Sequence, residues 1–111
     1  VNATGLVLAG VRVERQLQNE KWGEQNHPDG TGPDLVEPVA GHPATFGMLS
    51  DAARLYTDHA AEYGRLTWAD ILREEFREAL AEADPDRLRA ELLQVAAVAV
   101  AWAEAIDRRR S

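Results

Sequence analysis

Glutamates at helical spacing are the residues of this sequence with the clearest capacity for chemistry. Glu75 and Glu78 stand three apart, and Glu91 and Gln94 repeat that spacing further on, so each pair shares one face if its segment is helical. Two such helices side by side offer four oxygen donors to one point. An all-oxygen set suits a hard divalent cation, magnesium or manganese, rather than zinc, which prefers sulfur and nitrogen. Other chemistry has little to build on. The chain has no cysteine, which excludes a disulfide framework, a thiolate zinc site and a cysteine nucleophile. None of the three histidines is followed by Asp, Ser50 lacks a GxSxG context, and no GKS or GKT follows the loop glycines. HD-type, serine-hydrolase and P-loop sites are therefore absent as motifs.

The elements that must position these glutamates follow from periodicity and punctuation. The first helix is expected from Ala3 to Glu20, with Leu6, Val7, Val11, Val13 and Leu17 as its apolar stripe. Residues 22–43, rich in proline and glycine, are expected to form one long loop. A second helix should run from Ala44 to Tyr63, burying Phe46, Leu49, Ala53, Tyr56 and Ala60 and stopping at Gly64. Thr67 is a good N-cap for the third, with Asp70 completing an approximate capping box, and that helix should end at Asp84. Asp84 then caps the fourth, Pro85 takes its favoured first position, and Arg108 to Arg110 suit its C-terminus. No period-two strand pattern and no internal repeat is visible. The expectation is one all-α domain over residues 1–111, an antiparallel four-helix bundle.

On a helical wheel Glu75 falls inside the apolar stripe made by Trp68, Ile71, Leu72, Phe76, Ala79, Leu80 and Ala83, with Glu82 and Glu78 at its edge. Arg73 and Arg77 fall on the far side, badly placed to neutralise them. Glu91 likewise sits among Leu88, Leu92, Val95, Ala99, Trp102 and Ile106. Carboxylates at the edge of a dry core are costly unless a cation pairs with them. The competing reading is a solvated, salt-bridged helix, which LREEFREALAE also fits. From Leu92 to Ala103 every residue but Gln94 is apolar, so the fourth helix needs cover on more than one side. A second subunit is the expected cover, as a homodimer or tetramer. That run is too short to span a membrane, and the formal charge of −7 argues against a nucleic-acid partner. Val1 to Gly10 lacks a basic n-region and reads as helix rather than signal. With no cysteine, the expected compartment is the cytoplasm.

Glu74-Glu75-Phe76-Arg77-Glu78, twelve residues, then Glu91-Leu92-Leu93-Gln94 resembles the EExxE and ExxD signature of MazG-like, all-α nucleotide pyrophosphohydrolases, over roughly the C-terminal third of the chain. The resemblance implies Mg2+-dependent hydrolysis of a (deoxy)nucleoside triphosphate to the monophosphate and pyrophosphate. It implies Glu75, Glu78, Glu91 and Gln94 as metal ligands, and Glu74, with Glu75, in catalysis, Glu74 as an extra ligand or as the residue that positions the attacking water. Gln94 stands where the family usually has Asp, and a neutral amide removes one negative charge from the site. Glu14-Arg15-Gln16 and Lys21-Trp22-Gly23-Glu24-Gln25-Asn26-His27-Pro28 are similar to the substrate segment of small phage-type relatives, some acting on purine deoxynucleotides. Gln16, Lys21, Trp22 and Gln25 would then be substrate-binding, Lys21 toward the phosphates and Trp22 or Gln25 toward the base. Trp22 serves equally well as a core or interface aromatic. Two readings compete with the enzyme: a helical dimer that binds nucleotide without turning it over, and a structural bundle in which Arg87 or Arg89 pairs with Glu75 and Glu91.

Overall fold

The computed structural model describes residues 2–110. The chain is mostly helical, with α1 (Ala3–Trp22), α2 (Phe46–Glu62), α3 (Trp68–Leu80) and α4 (Pro85–Arg110); strands β1 (Val36–Val39) and β2 (His42–Thr45) precede α2. It divides into two compact units. One holds the sheet, α2, α3 and α4 up to Val98, and the other holds α1, the residues to Asp29 and α4 from Ala99.

In the second of these units α1 begins where the Asn2 side chain accepts from the Gly5 N–H at 2.6 Å. Thr4 Oγ1 donates to Glu104 Oε1 at 2.8 Å and ties α1 to the end of α4. The helix runs past its expected end at Glu20 to Trp22 and stops at Gly23, whose φ of +67° is one that glycine adopts freely. Lys21 and Trp22 are therefore helical, and the loop begins after them.

The larger unit corrects the expectation of one structureless loop and no strands. β1 and β2 form an antiparallel hairpin that pairs Val36 with Thr45, Glu37 with Ala44, Pro38 with Pro43 and Val39 with His42. Ala40 and Gly41 turn the chain with φ of +51° and +82°, the positive values that a two-residue type I′ turn requires. Beyond the sheet the Phe46 N–H donates to the Leu35 carbonyl at 2.8 Å. Counting back from that pair, antiparallel alternation makes Glu37–Ala44 and Val39–His42 hydrogen-bonded positions. Pro38 and Pro43 consequently face each other at a position where no N–H is needed, which is why two prolines coexist in so short a sheet.

The segment before the hairpin is anchored too. Thr31 Oγ1 donates to the Glu82 carbonyl at 2.6 Å, and the Gly32 N–H to the Leu80 carbonyl at 2.9 Å. Those contacts occupy carbonyls at the end of α3, which stops at Leu80 rather than Asp84. Pro33 accepts from the Gly47 N–H, and a Cβ at Gly47 would lie 3.2 Å from the Pro33 oxygen. Only glycine allows that approach without displacement. α2 starts at Phe46 instead of Ala44 because Ala44 is in the sheet and Thr45 caps the helix, accepting from the Met48 N–H at 3.1 Å. It ends before Gly64, whose φ is +67°.

Both bonds of the Thr67–Asp70 capping box are formed at the start of α3. Asp84 Oδ2 accepts from the Arg87 N–H at 3.0 Å and caps α4 ahead of Pro85. The core is small: Ala60, Ala79 and Leu88 are buried, together with Ser50, Thr57 and Asp70. Thr57 Oγ1 donates to the Asp70 carbonyl and joins α2 to α3. Tyr56, Phe76 and Leu92, expected to be buried, are exposed. Among the described residues no helix is long and apolar enough to cross a membrane.

Ala40 is the one non-glycine residue described with positive φ, a conformation that costs an L-residue about 1 kcal/mol. Asn enters this region far more readily. Ala40→Asn should stabilise the fold by about 0.5–1 kcal/mol in urea unfolding; an unchanged or lowered midpoint would mean that the turn is not formed in solution.

Candidate metal centre

Helix ends set the positions of the site residues. The capping box starts α3 at Trp68, and Asp84 with Pro85 starts α4, so the turn of residues 81–84 fixes which faces of the two helices meet. Arg87 clasps this turn: its Nε lies 3.2 Å from Glu82 Oε1 and 3.8 Å from Asp84 Oδ2, and Glu82 Oε1 also accepts from the Asp84 N–H. Glu82 is thereby held in the turn. Arg87 is used there rather than on Glu75 or Glu91.

Glu75 and Glu78 of α3 and Glu91 of α4 converge. Each offers a carboxylate oxygen, and the three oxygens lie within 4.8 Å of one another, all partly buried. Burial raises the Glu75 carboxyl above its ordinary value, and the negative charges of Glu78, Glu91 and Glu74 raise it further. Glu91 is raised by the same sequence of causes, burial first and then Glu78 and Glu82, with a hydrogen bond to Glu78 favouring its acid form. Glu74, beside the trio on α3, is raised by burial, then by Glu78 and Asp58, against a smaller opposing effect of Arg54. Glu74, Glu75 and Glu91 bind protons more readily than an isolated glutamate does, first because burial removes hydration and then because like charges surround them.

Arginines on α3 do not supply that compensation. Arg73 pairs with Asp70, whose carboxyl hydrogen bonding to Thr67 holds below the usual range, and Arg77 pairs with Glu37 of β1. The cation that reaches the cluster comes from α2: Arg54 Nη2 lies 3.6 Å from Glu78 Oε1. Sequence patterning gave no sign of Arg54, since its partner is set by how α2 packs on α3.

Gln94 follows one turn after Glu91 on α4 and is exposed. Gln16, Lys21, Trp22 and Gln25 belong to the other compact unit. There the Lys21 ammonium sits over the Trp22 ring, 4.8 Å from its centroid, and Gln25 lines a polar recess with Arg15, Gln18 and Glu24. Gln16 is exposed on α1. A mainly apolar cavity of about 250 Å³ lies between α2 and α3, lined by Leu49, Tyr56, Asp70, Arg73 and Arg77 among others, and includes none of the three glutamates. It lacks the convergent carboxylates that chemistry at a cation requires.

No family model matches the chain, and neither a curated protein nor a solved structure is significantly similar to it. Its site is therefore read from its own geometry.

The raised carboxyls have a consequence for stability. A carboxyl whose folded pKa exceeds its unfolded one stabilises the fold below the unfolded value, here the ordinary 4.5, and loses that contribution as pH rises through the folded value. Asp70 acts in the opposite sense, so the comparison must isolate the cluster. In metal-free buffer, Glu75→Gln should melt above wild type at pH 7.5, and the gap should narrow as pH falls toward 5. A gap that does not change with pH, measured by circular dichroism, would show that the charges of Glu75 are already compensated.

Proposed function

We propose that this chain is a divalent-cation-dependent nucleotide pyrophosphohydrolase of the MazG-like kind, cleaving a (deoxy)nucleoside triphosphate to the monophosphate and pyrophosphate. The observation that carries the reading is the convergence of Glu75, Glu78 and Glu91 within 4.8 Å, where α3 meets α4. Their donor set fits a hard cation: three partly buried oxygens, two of them on groups with raised proton affinity, and a single arginine contact. Glu75, Glu78 and Glu91 would hold it, with Gln94 offering at most a carbonyl oxygen. When bound, a magnesium or manganese ion supplies positive charge to the phosphate oxygens and acidifies the attacking water.

The remaining steps belong to the protein. Glu74, with its raised proton affinity, accepts a proton from the water as its oxygen bonds to the α-phosphorus. The bond from that phosphorus to the bridging oxygen breaks, and pyrophosphate leaves with the electron pair. Gln16, Lys21, Trp22 and Gln25 are the candidates for holding the nucleotide, Lys21 by charge and Trp22 by stacking. Gln94 favours one alternative, a helical dimer that binds nucleotide without hydrolysis, because its amide lowers the charge available to hold a cation.

A second copy of this chain is the partner we infer. Leu55, Met48, Tyr56, Leu92 and Leu93 are exposed on α2 and α4 within one compact unit, an apolar surface of the kind that a partner covers. An antiparallel bundle completed between copies would cover them. Sedimentation equilibrium should give at least twice 12.2 kDa; a monomer at micromolar concentration would refute the pairing.

The reaction itself is tested by pyrophosphate release from each common ribo- and deoxynucleoside triphosphate, with and without Mg2+ or Mn2+. Release should require the metal and fall by at least about 100-fold in Glu78→Ala, beyond what loss of an outer-sphere partner costs. Absence of turnover with every nucleotide, alongside metal-dependent nucleotide binding, would instead support the binding dimer, and recovery of turnover in Gln94→Asp would identify the missing charge as its cause.

A further inference from the structure

Arg54 stands apart from the other arginines around α3. Arg73, Arg77 and Arg87 each pair with carboxylates outside the trio, namely Asp70, Glu37, and Glu82 with Asp84. Arg54 instead meets Glu78 itself, from a different helix. Its contact of 3.6 Å is an ion pair but too long for a hydrogen bond, and its side chain is 55% exposed against 23% for Glu78. Little beyond charge holds it in place. Asp58, one turn further along α2, also acts electrostatically on Glu74, in the opposite sense to Arg54, so this face of α2 lies against the Glu74 and Glu78 edge of α3.

We propose that Arg54 serves the cluster twice, as counter-ion of Glu78 before a cation binds and as a ligand of the substrate's phosphate chain afterwards. This rests on the metal-site reading above and adds to it the coupling of cation and polyphosphate through one side chain. A divalent ion taken up by Glu75, Glu78 and Glu91 lowers the charge that attracts Arg54 from three negative to one, occupies the carboxylate it meets and repels the guanidinium directly. Arg54 is exposed and long enough to turn away without disturbing the packing of α2 on α3. The anion that a cation in this position recruits is a phosphate chain, and a guanidinium presents paired N–H donors that match two phosphate oxygens at once. Before uptake Arg54 competes with the ion; after uptake it reports that the site is charged for substrate.

The two roles have opposite signatures in one variant. Calorimetric titration of Mn2+ alone into Arg54→Ala should show binding several-fold tighter than wild type, because a competing cation is gone. Titration of α,β-methylene ATP at saturating Mn2+ should show binding weaker by about tenfold or more, the loss of a charge-assisted contact. Arg54→Lys, which keeps the charge but not the fork, should return the Mn2+ affinity to that of wild type and recover only part of the nucleotide affinity. Unchanged or weaker Mn2+ binding in Arg54→Ala overturns the counter-ion role, and unchanged analogue binding overturns the phosphate role. If wild type takes up no Mn2+, the metal-site reading itself fails and this inference with it, an outcome distinct from either of the others.

Discussion

Three carboxylates held within 4.8 Å repel one another by about 1–3 kcal/mol per ionised pair, for an effective dielectric constant between that of water and that of a protein surface. Partial burial adds to this by removing hydration, and that contribution is the larger one for both Glu75 and Glu91. Left to itself the α3–α4 corner would relax by splaying. It is restrained because both helices are pinned at the ends nearest the corner. Asp84 and Glu82 each serve backbone N–H groups as well as Arg87, and Thr31 and Gly32 fasten the end of α3 from outside. The supports are hydrogen bonds that engage the backbone, and none of them uses a carboxylate of the trio.

The hairpin takes part in the same restraint. Its ladder places Glu37 beside Arg77, and its leading segment brings Pro33 against the α-carbon of Gly47. Arg77 is thus drawn toward β1, on the opposite flank from the glutamates. Had Arg77 been free to fold across α3, its guanidinium would have been a competitor for Glu78. The small sheet therefore influences the site through charge, by holding an arginine elsewhere, as well as through backbone anchoring.

What could be read in advance divides along a physical line. Thr67 with Asp70, and Asp84 with Pro85, were legible because a cap is a contact between residues three apart and needs no knowledge of the fold. The facing of Glu75, Glu78 and Glu91 was legible because helical period alone puts Glu75 and Glu91 inside apolar stripes and Glu78 at the edge of one. The hairpin was not. Pro38 and Pro43 read as breakers, and their compatibility depends on a register that only the pairing defines. Arg54 was hidden for a related reason, since an ion pair between helices follows from packing and leaves no spacing rule. Phe76 and Leu92 read as core and are exposed, because helical period identifies an apolar stripe without saying what packs against it.

Gln94 and Arg54 are best understood together. Glu75, Glu78 and Glu91 carry three negative charges when ionised, and Gln94 carries none. One divalent cation would leave a single negative charge, two fewer than hold Arg54 beside Glu78 without it. An aspartate at position 94 would add a fourth negative charge and create the demand for a second ion. With an amide there, a second ion would have to draw on Glu74, the carboxylate beside the trio, and on the substrate's phosphates. If the trio holds a divalent ion as proposed, the amide at position 94 and the arginine beside Glu78 would both favour a centre with one protein-held cation that takes any other with the nucleotide.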